Sequence, residues 1–330
     1  MNADTKNLVS ELRNAGFTME AIDAAWPSWW TDDAESSPSA RTELRFALAR
    51  KLGLSPKPLL GERVEFVWND EARFKHLTAQ DKLQQSVLSS FGVSIGRILV
   101  RSLEKSSHSS ITAGALRQAI LSSSDYVDLK SLISFCWSIG IPIIHLRVFP
   151  LAAKNMHAMV VSTEGQYAIL LGKDDKYPAP LAFTLAHEIG HILLGHLANT
   201  PALVDMADPG EGDADDNQEV QANEFALELL TGSPKPNIQT EIEFFSARAL
   251  AESVINAGPH YKIEPGTLAL CAGYVTKRWP AAIGALRHIY GQPTPLWESI
   301  NNFAAQQIEW DRISIESAEY LSNIMNVANG

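Results

Sequence analysis

The first 140 residues carry apolar positions that recur at the spacing of amphipathic helices. Two short helices are predicted around Gly16. A longer helix is predicted to end at Gly53, because a glycine directly after the last apolar turn commonly ends a helix. Three more helices are predicted further along, one from Asp81, one across residues 111–123 and one across residues 126–140. This part of the chain is therefore expected to be helical.

The pattern changes in the middle of the chain. Residues 142–149 are apolar and rich in β-branched side chains, and residues 158–172 read as a hairpin that turns near Glu164–Gly165. A helix is predicted to run to about residue 198, and a second helix is predicted over residues 218–230 after an acidic loop. The remaining residues again have a helical pattern.

These elements predict an α+β protein that is mostly helical, with a small antiparallel sheet in its middle part. We expect three domains. A helical N-terminal domain would occupy residues 1–77, a central α+β domain residues 78–234, and a helical C-terminal domain residues 235–330.

The composition is that of a folded protein, with 45% hydrophobic and 20% charged side chains among 330 residues. No apolar stretch is long enough for a membrane-spanning helix, and the first residues do not resemble a secretory signal. Cys136 and Cys271 are the only cysteines, which excludes a disulfide framework. A cytoplasmic location without membrane contact is therefore expected.

The charge is unevenly distributed. The net charge is -11, yet residues 205–219 alone contain seven acidic and no basic side chains. Residues 40–105 instead have twelve basic and seven acidic side chains, a local excess that permits contact with nucleic acid or with an acidic protein surface. Within this region, LARKLGLSPKPLL (48–60) resembles the turn of a helix-turn-helix. The alternative is an ordinary solvated helical surface.

The chemistry is carried by an HExxH motif, His187 to His191, inside the strongly helical segment PLAFTLAHEIGHILLGHLA. Residues four apart lie on one face of a helix, so both imidazoles can reach one tetrahedral ion. Glu188 lies beside the first histidine, about 100° around the helix. Two neutral imidazoles and one carboxylate, with one position left open, suit a catalytic Zn²⁺ site. Two buried structural histidines are the alternative.

A third ligand is expected from the helix that follows the acidic loop. Glu219 is the best candidate, and Asn223, one turn later, would hydrogen-bond a ligand imidazole and fix its tautomer. Ala222 is small enough on that face for close helix packing. Glu224 is the rival ligand. An acidic residue at a helix N-terminus is also favourable without any metal, because of the helix dipole.

These motifs resemble those of the ImmA/IrrE family of bacterial zinc metallopeptidases. The resemblance rests on FTLAHEIGHILLGH (183–196) and EVQANEFALELL (219–230), preceded by a strand and a hairpin in the order that this family uses. It covers about residues 125–232. It implies a zincin-like core in which one zinc ion is bound by His187, His191 and Glu219, with Glu188 as the catalytic carboxylate.

The resemblance also implies a substrate. Members of this family typically cleave a helix-turn-helix repressor encoded nearby, and thereby release stress, DNA-damage or mobile-element responses. We therefore expect this protein to cleave such a repressor in a bacterial stress, DNA-damage or phage-defence response. An extended substrate segment is expected to add as a strand beside the hairpin of residues 158–172. A nucleic-acid signal is a candidate activator.

Several supporting roles stay open. Tyr177, His157 and His196 are candidates for stabilising the tetrahedral oxyanion, although His196 is also suited to packing or capping at the helix end. A thiolate from Cys136 would be able to occupy the open zinc position and silence the enzyme, but its apolar surroundings favour core packing.

Two other function classes compete with a protease. One is a DNA-binding regulator with a structural metal site. Such sites usually close the fourth position with Cys or His, and no such residue follows Glu219 nearby. The other is a non-catalytic binding partner of the toxin–antitoxin kind, which would have no need of Glu188.

Overall fold

The structure is a computed structural model that describes residues 2–61, 63–67, 73–75, 82–106, 111–152, 156–198, 200–206, 216–239 and 245–328. Within these ranges the chain forms fifteen α-helices and five β-strands. The helices are α1 (Ala3–Asn14), α2 (Met19–Ala25), α3 (Asp32–Ser36), α4 (Pro38–Leu52), α5 (Pro56–Leu60), α6 (Lys82–Arg101), α7 (Ala113–Leu121), α8 (Leu129–Ser138), α9 (Pro178–Leu193), α10 (Asn217–Thr231), α11 (Ala247–Tyr261), α12 (Pro265–Thr276), α13 (Trp279–Tyr290), α14 (Leu296–Gln307) and α15 (Ile315–Met325). The strands are β1 (Arg73–Lys75), β2 (Ile143–His145), β3 (Ala158–Thr163), β4 (Gln166–Leu171) and β5 (Ala202–Asp205).

The five strands form one mixed sheet in the order β1-β5-β3-β4-β2. The predicted mostly helical α+β class is confirmed. The three central strands are antiparallel as expected, but β1 and β2 each pair in parallel with their neighbours, so a purely antiparallel sheet was wrong. Strand β2 pairs with β4 and not with β3, the next strand along the chain. Because β3 runs antiparallel to β4, β2 then runs parallel to β4. Strand β5 was not predicted, because four residues are too few to show an alternating pattern.

The hairpin of β3 and β4 turns at Glu164 and Gly165, as predicted. Both residues have positive φ, 53° and 75°, as a two-residue hairpin turn requires. Each strand of this hairpin has a partner on both sides, since β3 also pairs with β5 and β4 also pairs with β2. Among the described residues, strand β2 pairs only with residues 169–171 of β4, and β5 only with residues 158–161 of β3. The expectation that a substrate strand adds beside the hairpin stays a prediction.

The outer side of β2 is covered by a side chain rather than by a strand. Asn301 of α14 accepts a hydrogen bond from the backbone amide of His145 (2.7 Å) and donates one to the carbonyl of the same residue (2.8 Å). Its amide also donates to the carbonyl of Met325 (2.7 Å). A single buried amide therefore closes the end of this edge strand.

Helices cover both faces of the sheet. Helix α6 lies against β3 and β4, and the approach is close because Gly96 has no side chain: a Cβ atom there would lie 2.7 Å from Cβ of Val161. Helix α9 packs on β3 from the other face. The sheet thus holds α9, the helix with the HExxH motif, in a fixed position against a buried apolar layer.

The main hydrophobic core draws side chains from all three predicted segments. It contains Leu48 of α4, Val160 of β3 and Leu321 of α15, for example, while a smaller second core lies among α11, α12 and α13. Polar contacts join the two ends of the chain as well, as the indole of Trp29 donates to Glu316 (2.7 Å). The division at residues 77 and 234 stays a prediction.

The segment that resembles a helix-turn-helix consists of α4 and α5. Gly53 ends α4 in the left-handed conformation (φ 72°), which agrees with the predicted helix end. Helix α5 has only five residues, and Leu59 within it is fully buried. Such a short, partly buried helix is a poor candidate for reading a DNA groove, and the suggested role of this segment in DNA binding stays a prediction. Among the described helices, none is long and apolar enough to cross a bilayer.

Candidate metal centre

Helix α9 presents the HExxH motif inside the protein. Its sequence starts with Pro178 at the first helical turn, where the missing N–H costs nothing, and continues with apolar side chains that are almost all buried. His187, Glu188 and His191 are each 0% exposed. Three fully buried polar side chains within five positions of one apolar helix indicate a functional site, because polar groups are costly to bury.

The third candidate ligand lies on helix α10. This helix begins after Asp216, whose carboxylate accepts from the amide of Gln218 (2.9 Å), and ends at Gly232 in the left-handed conformation. The helix lies very close to α9, since a Cβ atom on Gly190 would be only 3.3 Å from the backbone of Ala222. This close packing, for which the small Ala222 was predicted, places Glu219 against the two histidines.

The three side chains converge on one point. The Nε2 atoms of His187 and His191 are 2.9 Å apart, and carboxylate oxygens of Glu219 lie 3.3 Å and 3.2 Å from them. Ligand atoms at the usual zinc distances in a tetrahedral site would be about 3.3 Å from each other. Within the part of the chain that the structure describes, this is the group of His, Cys, Asp and Glu side chains that can hold a metal ion. The donor set and the spacing therefore fit a divalent cation.

A further carboxylate borders this point. Asp205, the last residue of β5, is 1% exposed, and its Oδ2 atom lies 3.5 Å from Nε2 of His187. Together with Glu188 and Glu219 it makes three carboxylates that are each at most 2% exposed. Like charges in a buried space repel each other strongly, so a cation is the natural neutralising partner for this cluster.

The second nitrogen of each imidazole also has a partner. Nδ1 of His187 is 3.0 Å from Oδ1 of Asn223, as expected from the sequence. Nδ1 of His191 is 2.8 Å from Nδ1 of His196, and Nε2 of His196 is 3.1 Å from Oε1 of Gln221. Both ring nitrogens of His196 thus have hydrogen-bond partners, and its suggested role in stabilising an oxyanion stays a prediction.

Tyr177 and Glu224 lie away from the cluster, whereas His157 is joined through its backbone to Asp205 beside it, and the suggested role of His157 stays a prediction. Tyr177 stacks on Tyr290 at the start of α9 (centroids 5.8 Å apart), ten residues or about 15 Å along the helix from His187. His157 precedes β3, and its backbone amide donates to the carbonyl of Asp205 (2.8 Å). The rival ligand Glu224 instead faces outwards and forms an ion pair with Lys235 (3.0 Å).

Cys136 is likewise absent from the group of described residues that can hold a metal. It belongs to the main hydrophobic core on α8 and is 0% exposed, and burial raises the pKa of its thiol well above the usual range. A thiol that is kept protonated by apolar surroundings is a poor metal ligand. This geometry favours core packing over the suggested inhibitory role.

Two residues of the centre were missed by sequence reasoning, Asp205 and Gln221. Asp205 was counted only as part of the acidic loop, and no short-range pattern distinguishes it from the six acidic residues that follow. Gln221 also had no local signal, because it lies two residues from both Glu219 and Asn223 and therefore on a different side of α10. Its contact with His196 (3.1 Å) is visible only in the structure.

Comparison with protein families identifies this part of the chain. Residues 141–236 match the model of the Peptidase_M78 family, described as an IrrE N-terminal-like domain. This segment of the chain is therefore similar to a family of metallopeptidases. The matched segment of the M78 domain runs from the residues before β2 to the residues after α10 and so contains all the side chains of the metal cluster. The curated proteins contain no match to the chain.

Proposed function

We propose that this protein is a zinc-dependent endopeptidase that cleaves a partner regulatory protein. The proposal is carried by one observation, the convergence of His187, His191 and Glu219 within an M78 domain, with the buried Glu188 on the same helix. Two imidazoles and one carboxylate are the ligand set of catalytic zinc in proteases, and zinc prefers this mixture of nitrogen and oxygen at tetrahedral spacing.

The roles of the side chains follow from their positions. His187, His191 and Glu219 would hold the zinc ion, which would supply Lewis acidity towards the scissile carbonyl. Glu188 acts as the general base, which takes a proton from the attacking water and then delivers it to the leaving amine. Asn223 holds the ring of His187 so that Nε2 faces the ligand position. Burial of the whole cluster strengthens each of these electrostatic interactions.

For the substrate we propose a helix-turn-helix transcriptional repressor encoded beside this protein, within a bacterial stress, DNA-damage or phage-defence response. The support is the family match together with the resemblance of both helix motifs to repressor-cleaving peptidases. The local basic excess of residues 40–105 supports a nucleic-acid activator, which would bind outside the metal centre.

The test uses the full chain and the product of the neighbouring reading frame. We expect about one zinc per chain by elemental analysis and cleavage of the repressor on a gel. Glu188→Gln should keep the zinc and abolish cleavage, whereas Glu219→Ala should lose the zinc. Cleavage by the Glu188→Gln variant would remove this residue from its role. Zinc binding without cleavage of any repressor, with or without added DNA, would instead favour a non-catalytic binding protein.

A further inference from the structure

Helix α10 is linked by hydrogen bonds to both ligand histidines, on the side of each ring away from the metal position. It reaches His187 directly through Asn223, and it reaches His191 through an intermediate, because Gln221 contacts His196 and His196 contacts His191. His196 follows α9 in a turn and is 8% exposed, so its ring is held between the two helices rather than in solvent.

The directions of these hydrogen bonds are fixed by the ligand role of His191. To bind a cation through Nε2, a neutral imidazole must carry its proton on Nδ1. Nδ1–H of His191 is then the donor, and Nδ1 of His196, 2.8 Å away, is the acceptor. His196 consequently carries its own proton on Nε2 and donates it to Oε1 of Gln221 (3.1 Å). With these tautomers, each of the two hydrogen bonds has one donor and one acceptor.

We infer that His196 and Gln221 act as a positioning relay that fixes the tautomer and the ring orientation of the ligand His191. The inference rests on the proposed metal-binding function and adds His196 and Gln221 to the residues that support it. His196 is a positioning residue, since it acts through His191 and does not touch the metal position.

The charge of the site explains why the relay ends on an amide. Zinc ligands often donate to carboxylates, which add negative charge and raise the basicity of the imidazole. Here Glu188, Asp205 and Glu219 already give the buried cluster three negative charges, more than one divalent cation neutralises. Neutral acceptors, Asn223 on His187 and Gln221 on His191 through His196, orient the rings without adding a fourth and a fifth charge.

The test measures zinc affinity of the purified full chain by competition with a chelator, without any peptide substrate. His196→Leu keeps the size of the side chain but removes the acceptor, and should weaken zinc binding by about 10- to 100-fold. His196→Asn places its oxygen where Nδ1 was and should restore most of the affinity. Gln221→Met, at an exposed position, should cause a smaller loss, because water replaces the amide. His288→Leu, an exposed histidine of α13, is the matched control.

A second readout reports the tautomers directly. In long-range proton–nitrogen NMR spectra of the zinc-loaded chain, His191 should carry its proton on Nδ1 and His196 on Nε2. Wild-type affinity in His196→Leu, equal losses in His196→Leu and His196→Asn, or a proton on Nδ1 of His196 would each overturn the relay. A chain that shows the relay but cleaves no repressor would contradict only the proposed protease function.

Discussion

The carboxylate of Asp205 lies 3.5 Å from Nε2 of His187, the same nitrogen that faces Glu219. The two carboxylates approach this nitrogen from different elements, one from the end of β5 and one from the first turn of α10. Asp205 therefore shares the electrostatic environment of the metal position, although it is not one of the three converging ligands. Its charge must affect both the stability of the metal-free protein and the affinity for a cation.

Asp205→Asn tests this relationship with almost no change in shape. The metal-free variant should have a higher thermal midpoint than the wild type, because one of three buried like charges is removed. Its zinc affinity should fall, by about 10-fold or more, because the cation loses a neighbouring negative charge. Calorimetry with and without zinc measures both effects. A variant that is less stable without metal, or that binds zinc as tightly as the wild type, would contradict this assignment.

Asn301→Leu should destabilise the protein strongly. The amide of Asn301, which is 0% exposed, is bonded to both backbone groups of His145 and to the carbonyl of Met325. Loss of these bonds leaves buried backbone groups without partners and should cost about 3–5 kcal/mol in free energy of unfolding, measured by urea denaturation.

The neighbouring residue provides the control for that substitution. Asn302 lies on the exposed side of the same helix, and Asn302→Leu should change stability by no more than about 0.5 kcal/mol. If the two variants were equally stable, Asn301 would not be the residue that closes the edge of β2.

Arg117→Met should weaken the attachment of α10. The buried guanidinium donates to the carbonyls of Leu229 (3.0 Å) and Leu230 (2.8 Å) at the end of α10, and to the carbonyl of Lys262 (2.7 Å) after α11. Burial lowers the pKa of this guanidinium. Its positive charge meets the negative ends of two helix dipoles, so its loss should cost about 2–4 kcal/mol.

Urea denaturation of the metal-free chain measures this loss. Arg287→Met, on the exposed surface of α13, is the matched control and should stay within about 0.5 kcal/mol of the wild type. A stable Arg117→Met variant would show that α10 is held by apolar packing alone.

Asp4 predicts a pH-dependent contribution to stability. Hydrogen bonds from Arg45 (2.8 and 3.3 Å) hold the pKa of this carboxyl below its ordinary value of 3.8, and Arg41 adds to the effect. The unfolded chain then binds the proton first as the pH falls, so the contribution is complete well above pH 3.8 and is lost progressively as the pH falls through this value and then through the lower pKa of the folded state. Asp4→Asn should be less stable than the wild type by about 1 kcal/mol at pH 7.

The same comparison at lower pH checks the sign. The stability difference between Asp4→Asn and the wild type should shrink as the pH is lowered from 5 towards 3, in unfolding experiments at fixed ionic strength. Asp23→Asn, on the exposed side of α2, should stay within about 0.5 kcal/mol of the wild type at pH 7. A difference that grows at low pH would mean that Asp4 is not stabilised in its charged form.

Local patterns in the sequence were sufficient for most of the helices and for the three candidate ligands that the structure brings together. His187 and His191 lie on one face of a helix wherever that helix is placed, because the spacing of four is a property of the helix itself. Glu219 and Asn223 could be proposed for the same reason, and the turn at Glu164–Gly165 followed from local backbone preferences. Each of these features depends on residues within a few positions of each other.

Tertiary structure decided the features that join distant segments. Asp205 reaches His187 only because β5 pairs with β3, and His196 became a partner of His191 and Gln221 only when α9 and α10 packed together at Gly190. The parallel pairing of β2 and its closure by Asn301 also depend on long-range contacts. Such contacts are selected by packing of the whole core, and no periodicity within a single segment encodes them.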